Sequence, residues 1–206
     1  MRKLLLGVTL LALQAAAAEA GTVVLFDNMN RTAGPVTYDC CHAYGVEGPQ
    51  NLGIYSKIAV AFTPQVNASV TEIDAPISWW SGPNGTTMGL YADDHDMPGR
   101  LIRQWVFHNL PGFNTCCSYL AATWPNGIAV IAGRQNWVVA QTDGTMLDTI
   151  TLWNENATTT VQNKMERWCQ DSPMPGGAVC APEYMSGTWT QEFGSPRPAL
   201  AVIGKN

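Results

Sequence analysis

The chain has 206 residues, with 11 Lys and Arg against 16 Asp and Glu, a formal net charge of −5 and 46% hydrophobic residues. A lightly charged, mildly acidic chain without a Lys/Arg cluster excludes nucleic acid as a partner, because neutralising phosphates needs concentrated positive charge. Six cysteines in a chain of this length point to an oxidising compartment.

The first twenty residues, MRKLLLGVTLLALQAAAAEA, begin positively at Arg2 and Lys3, continue apolar from Leu4 to Ala18 and end small-x-small at Ala18-Glu19-Ala20. That is the layout of a secretory signal peptide cleaved after Ala20. The apolar run falls short of the ~20 residues that span a bilayer, and Gln14 interrupts it. The expected organisation is a signal peptide over 1–20 and one domain over 21–206. Without Arg2, Lys3 and Glu19, the remaining 186 residues keep 9 basic and 15 acidic groups, a net charge of −6. No later apolar run reaches spanning length, and the tail ALAVIGKN has no hydrophobic sorting segment. The expected product is secreted (extracellular, periplasmic or on the cell surface) and free of the membrane after cleavage.

From Gly21 onward, short runs rich in β-branched and aromatic residues recur between Gly, Pro, Asn and Asp. In order they are GTVVLF, SKIAVAFTP, SVTEIDAPISWW, TMGLYAD, RLIRQWVFHNL, NGIAVIAG, QNWVVAQTD, ITLWNE and PALAVIG. In SKIAVAF the residues Ile58, Val60 and Phe62 alternate with smaller neighbours, as on a strand with one buried face. Pro64, Pro76, Pro83, Pro98 and Pro111 punctuate the early connections, where edges and turns tolerate a missing N–H. The pattern predicts an all-β fold, an antiparallel jelly-roll-like β-sandwich of about nine strands supported by disulfides. Only the KMERWC region reads as a short helix.

The cysteines fall as Cys40-Cys41, Cys116-Cys117, and Cys169 with Cys180. CQDSPMPGGAVC carries Pro173, Pro175, Gly176 and Gly177 between its ends, so the chain can turn back and join Cys169 to Cys180. A bond between adjacent cysteines would strain its ring, so Cys40 and Cys41 are expected to bridge to Cys116 and Cys117, in a pairing the spacing leaves open. A bridge closing so long a loop is worth roughly 4 kcal/mol in the chain-entropy picture. The alternative use of the first doublet, a thiolate metal site that also takes His42, is disfavoured by export and by the absence of C-x-x-C spacing.

The densest set of reactive side chains is Asp93-Asp94-His95-Asp96 in MGLYADDHDMPGRLIRQW. As a hairpin it runs from a strand at Met88–Tyr91, through ADDHDMPG, to a strand at Leu101–Val106, with Pro98 fixing φ and Gly99 free to take a positive φ. As a helix-loop-helix calcium loop it fails, since Pro98 takes the fifth position and Trp105 stands where a bidentate Glu is required. An irregular calcium site at Asp93, Asp94 and Asp96, helped by carbonyls, is the metal alternative; no other cofactor is indicated. His95 has no identifiable partner for acid–base work and reads as a solvated turn residue.

VAFTP, followed by an I…W strand, GLYADDHDMPGRLI, LPGFNTCC, IAGRQNWVV and LWNEN, resembles in that order the exported bacterial β-sandwich domains of the choice-of-anchor type, which often accompany a PEP-CTERM sorting tail. The resemblance spans about Leu52 to Asn156. It implies a jelly-roll-like sandwich at or beyond the cell surface and brings no catalytic residues. Two departures stand out: the PEP-CTERM tail is missing, and Asn136 precedes Trp137 where an aromatic is usual. The family's mode of anchoring is therefore not carried over.

No G-x-S-x-G elbow, H-E-x-x-H, phosphate loop or dinucleotide fingerprint occurs, and no carboxylate pair is marked among the glutamates and aspartates. The eight tryptophans are the other unusual feature. Trp79, Trp105, Trp137 and Trp153 lie in apolar runs and are expected in the core. Adjacent Trp79 and Trp80 must point to opposite faces of a strand, which turns one outward. Trp124 in TWPNG and Trp189 in SGTWTQ sit in polar surroundings. Trp80, Trp124 and Trp189 are the candidate sugar-stacking residues, since an aromatic face beside a few polar groups suits a sugar ring. The expected function is a non-catalytic secreted or surface module whose partner is surface matrix or extracellular polysaccharide; a carbohydrate-binding domain is the second reading and a glycoside-hydrolase-like enzyme the third. Sequons at Asn30, Asn67, Asn84 and Asn156 carry glycan only in a host able to add it.

Overall fold

The computed structural model describes residues 21–50, 54–116, 118–142, 145, 147–157, 164–171, 180, 187–191 and 196–206. The expected leader over residues 1–20 and the cysteine at 117 lie outside the described residues. Among those described there are thirteen strands: β1 Thr22–Asp27, β2 Tyr38–Glu47, β3 Ile54–Phe62, β4 Ala68–Ala75, β5 Ile77–Ser81, β6 Gly85–Asp94, β7 Met97–His108, β8 Leu120–Val130, β9 Asn136–Gln141, β10 Ile150–Asn156, β11 Met165–Asp171, β12 Thr188–Gln191 and β13 Ala201–Lys205. No helix among the described residues is long and apolar enough to cross a membrane.

The strands form two antiparallel sheets. The smaller has the order β1-β13-β4-β8; the larger has the order β5-β10-β2-β3-β9-β6-β7, with β11 pairing both β3 and β12. Their facing sides share one core. Val70, Ile73, Ala122 and Val202 of the smaller sheet meet Ile58, Val60, Met88, Leu90, Val138 and Trp153 of the larger. Alternation along β3 explains the division of labour: Ile58, Val60 and Phe62 face this core, while Ala59 and Ala61 lie with Trp137 and Val139 in a second cluster on the other face. The strand is therefore buried on both sides, and it reads as a nearly unbroken apolar run.

All nine expected runs contain strand, and one contains two. SVTEIDAPISWW divides at Pro76, which cannot donate to a ladder, and the chain changes sheets there: β4 belongs to the smaller sheet and β5 to the larger. Three further strands, β2, β11 and β12, come from segments without that signature. The expected helix at KMERWC is corrected by β11, which pairs with β3 from Met165↔Val60 to Asp171↔Ile54 and with β12 on its other side. Ladder bonds on both edges outweigh a weak local helical tendency. Between β2 and β3 the ladder is reduced to Glu47↔Ser56. The Ser56 hydroxyl takes over there, accepting from the Glu47 amide at 3.2 Å and donating to the Gly45 carbonyl at 3.0 Å.

Cys169 and Cys180 are bonded, with their Cα atoms 6.0 Å apart. The expected bridges from Cys40 and Cys41 to the second doublet are corrected. Both are free thiols, while Cys116 is disulfide-bonded without them. The cause lies in β2. Its register against β10 passes from Ala43↔Asn154 directly to Asp39↔Glu155, leaving Cys40, Cys41 and His42 as a bulge. The bulge breaks strand alternation and sets the two sulfurs against each other, 3.5 Å apart. The segment that follows the second doublet lies beside β2, since the Tyr38 hydroxyl donates to the Ser118 carbonyl at 2.9 Å and Cys40 packs in one cluster with Tyr119.

Candidate functional site

The acidic stretch forms the tight turn of the β6–β7 hairpin. Asp94 pairs with Met97, so only His95 and Asp96 make the loop, and both have positive φ (53° and 68°). That is the backbone of a type I′ turn, whose twist matches its flanking strands. The expected strands therefore extend further than their apolar runs, and Pro98 and Gly99 lie inside β7 rather than in the loop. Asp93 Oδ1 accepts from the Trp137 indole and from Gln135 Nε2, each at 2.7 Å, while its Oδ2 accepts from the Asp96 amide at 3.3 Å. Asp96 pairs with Lys164 at 3.3 Å, and Asp94 lies 2.7 Å from His95 Nδ1. Partial burial works to raise the Asp93 carboxyl, but the donors of Trp137 and Gln135 outweigh it and hold the group below its usual range. Gln135 Nε2 also donates to Asp96 Oδ1 at 3.2 Å, so Asp93 and Asp96 share that amide while Asp94 is taken up by His95. No group of three or more His, Cys, Asp or Glu arranged to hold a metal ion occurs among the described residues.

A second set of charges lies on β4. Glu72 and Asp74, two positions apart, share a face beneath the segment that follows β1, and Arg31 reaches both, at 3.5 Å and 2.9 Å. Asp27 shapes that segment by accepting from the amides of Met29, Arg31 and Thr32. Asp74 is fully buried and its Oδ1 has no hydrogen-bond partner. Burial, then the neighbouring Glu72 carboxylate, pushes its carboxyl up to about 7 despite Arg31. Sequence inspection marked no carboxylate pair; the i, i+2 spacing on a strand was its only signal. A sealed carboxyl reaches no substrate, so this cluster is a tether.

The three candidate tryptophans are not brought together. Trp124, on β8, is capped by the Arg103 guanidinium, which lies 3.8 Å from its ring centre. Trp189, on β12, packs on the cluster of Ala59, Ala61, Trp137 and Val139. Its ladder partner Trp168 has a face occupied by Lys57, 4.4 Å from the ring centre. Trp80 differs. It is 55% exposed, the one aromatic among the large apolar side chains that are exposed in the described residues.

Trp80 stands on β5, the end strand in the order of the larger sheet, and its placement is rigid. The Trp79 amide donates to the Pro111 carbonyl at 2.8 Å, and the Phe113 amide donates to the Trp79 carbonyl at 2.9 Å. The segment at 110–113 thereby extends the sheet by a short parallel bridge, Trp79↔Gly112. Asn84 braces the same segment, accepting from the Leu110 amide at 2.6 Å and donating to its carbonyl at 3.0 Å. Trp79 turns inward against the core, its indole donating to the Gly82 carbonyl at 2.9 Å. Trp80 meets the edge of Phe113, with ring centres 5.5 Å apart and planes at 66°. Trp79, Trp80, Gly112 and Phe113 enclose a shallow cleft of about 280 Å³. Gly112 contributes no side chain to it. Phe113 was not singled out from the sequence; its signal was the turn LPGFN, which reads as a loop until its pairing to β5 is known.

A larger depression of about 530 Å³ lies where the hairpin turn meets the β8–β9 connection, lined in part by Asp93, Arg134, Gln135 and Asn136. No aromatic ring lines it, and two of its polar groups, Asp93 and Gln135, are bonded to each other. Glycan added at Asn84 or Asn156 would break formed contacts, since the Asn84 amide is bonded to Leu110 and Asn156 is buried.

No family model matches the chain, and no curated protein matches it.

Proposed function

We propose that the chain is an exported, non-catalytic β-sandwich module that binds carbohydrate at the cell surface or in the surrounding matrix through the Trp80–Phe113 cleft. One observation carries this reading. An indole left open to solvent is fixed on a paired strand edge and flanked by a second ring and a glycine, whereas the other candidate indoles are half-buried. A sugar ring offers a flat C–H face that stacks on such a surface, and a pre-ordered cleft loses little entropy on binding. The cleft is open and shallow, which suits a residue within a polysaccharide better than a small molecule that must be enclosed.

The test is retention on polysaccharide affinity gels together with a glycan array. Trp80→Ala and Phe113→Ala should each weaken retention about fivefold or more, an aromatic contact being worth about 1 kcal/mol or above. Trp124→Ala should leave it unchanged. Absence of retention by the folded wild-type protein on every polysaccharide tried would overturn the proposal, leaving the surface-module reading without a ligand.

A further inference from the structure

The bulge in β2 presents two thiols side by side. Cys41 is exposed and Cys40 half-buried, neither is in a disulfide, and their sulfurs lie 3.5 Å apart. Adjacent side chains of a regular strand point to opposite faces, so this contact exists only because the bulge departs from the ladder. Asp39 holds the bulge in shape, accepting from the Cys41 amide at 2.8 Å and standing 2.7 Å from His42 Nδ1. The same carboxylate raises the His42 basicity by hydrogen bonding and charge.

No third His, Cys, Asp or Glu joins the pair in an arrangement able to hold a metal ion among the described residues. Among the described residues a four-ligand zinc site is therefore not formed here. What the bulge offers is a two-sulfur chelate. With metal–sulfur bonds of ~2.3 Å, sulfurs 3.5 Å apart subtend about 100° at a bound atom. That angle fits a pyramidal trivalent centre and is far from the linear arrangement of two-coordinate monovalent copper.

We infer that Cys40 and Cys41 form a binding site for trivalent arsenic or antimony compounds, a dithiol that closes on one thiophilic atom. The chemistry needs no oxidant. For a monosubstituted arsenic oxide, two As–S bonds form, the two thiol protons pass to the arsenic-bound oxygen, and that oxygen leaves as water. Arsenic stays trivalent, and neither sulfur changes oxidation state.

The experiment uses the exported full-length protein and phenylarsine oxide. Intact-mass spectrometry should show one equivalent bound per chain with loss of one water, reversed by excess ethanedithiol. Proteolytic fragments should place the adduct on the peptide holding residues 40 and 41. Cys40→Ser and Cys41→Ser should each lower affinity at least 100-fold, with strand content by circular dichroism unchanged. Should either variant misfold, alkylation of the wild-type protein decides: iodoacetamide should label both positions, and arsenical bound beforehand should block that labelling. Absence of labelling at both positions in the native protein, an adduct on another peptide, or binding that survives the serine variants would overturn the inference. So would capture of monovalent copper from bathocuproine disulfonate with no arsenical adduct.

Discussion

The indole nitrogen of Trp137 lies 2.7 Å from the carboxylate of Asp93, joining the deepest aromatic of the larger sheet's outer cluster to the hairpin turn above it. The contact explains why three aspartates crowd one corner. One of them is a fixed acceptor for a side chain with no exposed surface of its own. Asp93→Ala removes that acceptor, and a donor left without its partner costs about 1–2 kcal/mol. Urea unfolding should show a lower midpoint with an unchanged slope, and Asp94→Ala should leave the midpoint where it was.

Asp74 and Glu166 are nearly or fully buried carboxyl groups, each pushed up to about 7, chiefly by burial. Their ordinary values are 3.8 and 4.5, so between those values and about 7 the folded chain holds protons that the unfolded chain has released. Stability then falls as pH rises through that interval. The melting temperature should decline from pH 5 to pH 8. Asp74→Asn and Glu166→Gln should each flatten the decline, most of all together. A melting temperature that rises across the interval would contradict this assignment.

The positive φ angles of His95 and Asp96 belong to a two-residue turn that favours Asn and Gly. His95→Asn should therefore keep or slightly raise stability, by no more than about 0.5 kcal/mol, and leave carbohydrate retention unchanged. Asp96 is a different case because it also pairs with Lys164. Asp96→Gly should gain in the turn what it loses in that pair, to within about 1 kcal/mol. Thermal denaturation of the two variants separates turn geometry from charge.

Gly82 follows the strand that carries Trp80, at φ +75°, and a Cβ there would run into the Asp148 carbonyl oxygen. That atom is backbone and cannot swing aside. Gly82→Ala should displace the end of β5, lower stability by about 1–3 kcal/mol and weaken carbohydrate retention. Gly133→Ala is the control: it shares the positive φ but has open space around it, so it should cost less and leave the cleft intact. Denaturation and affinity-gel retention measure both effects.

Breaking Cys169–Cys180 as the double serine variant should cost about 2–3 kcal/mol, in line with the short loop it closes. The fold should survive, because β11 is held by ladders on both edges. Circular dichroism with chemical denaturation would show an unchanged strand signal and an earlier transition.

Local pattern alone determined much of this protein. Alternation and turn residues located nine of the stretches that form strands, the Pro- and Gly-rich loop marked the Cys169–Cys180 ring, and adjacency placed Trp79 and Trp80 on opposite faces. These readings succeed because strand periodicity and turn geometry are set by neighbours along the chain. Only the tertiary structure decided the rest. β11 is a strand because β3 and β12 lie beside it. One face of Trp124 is taken because Arg103 arrives from another strand, and Trp80 is braced because the segment carrying Phe113 docks beside it. Cys40 and Cys41 face each other because β10 cannot pair with both sides of a bulge. Burial, pairing partners and the side chains that cover a ring depend on residues far away in sequence, and only the closed sandwich brings those residues together.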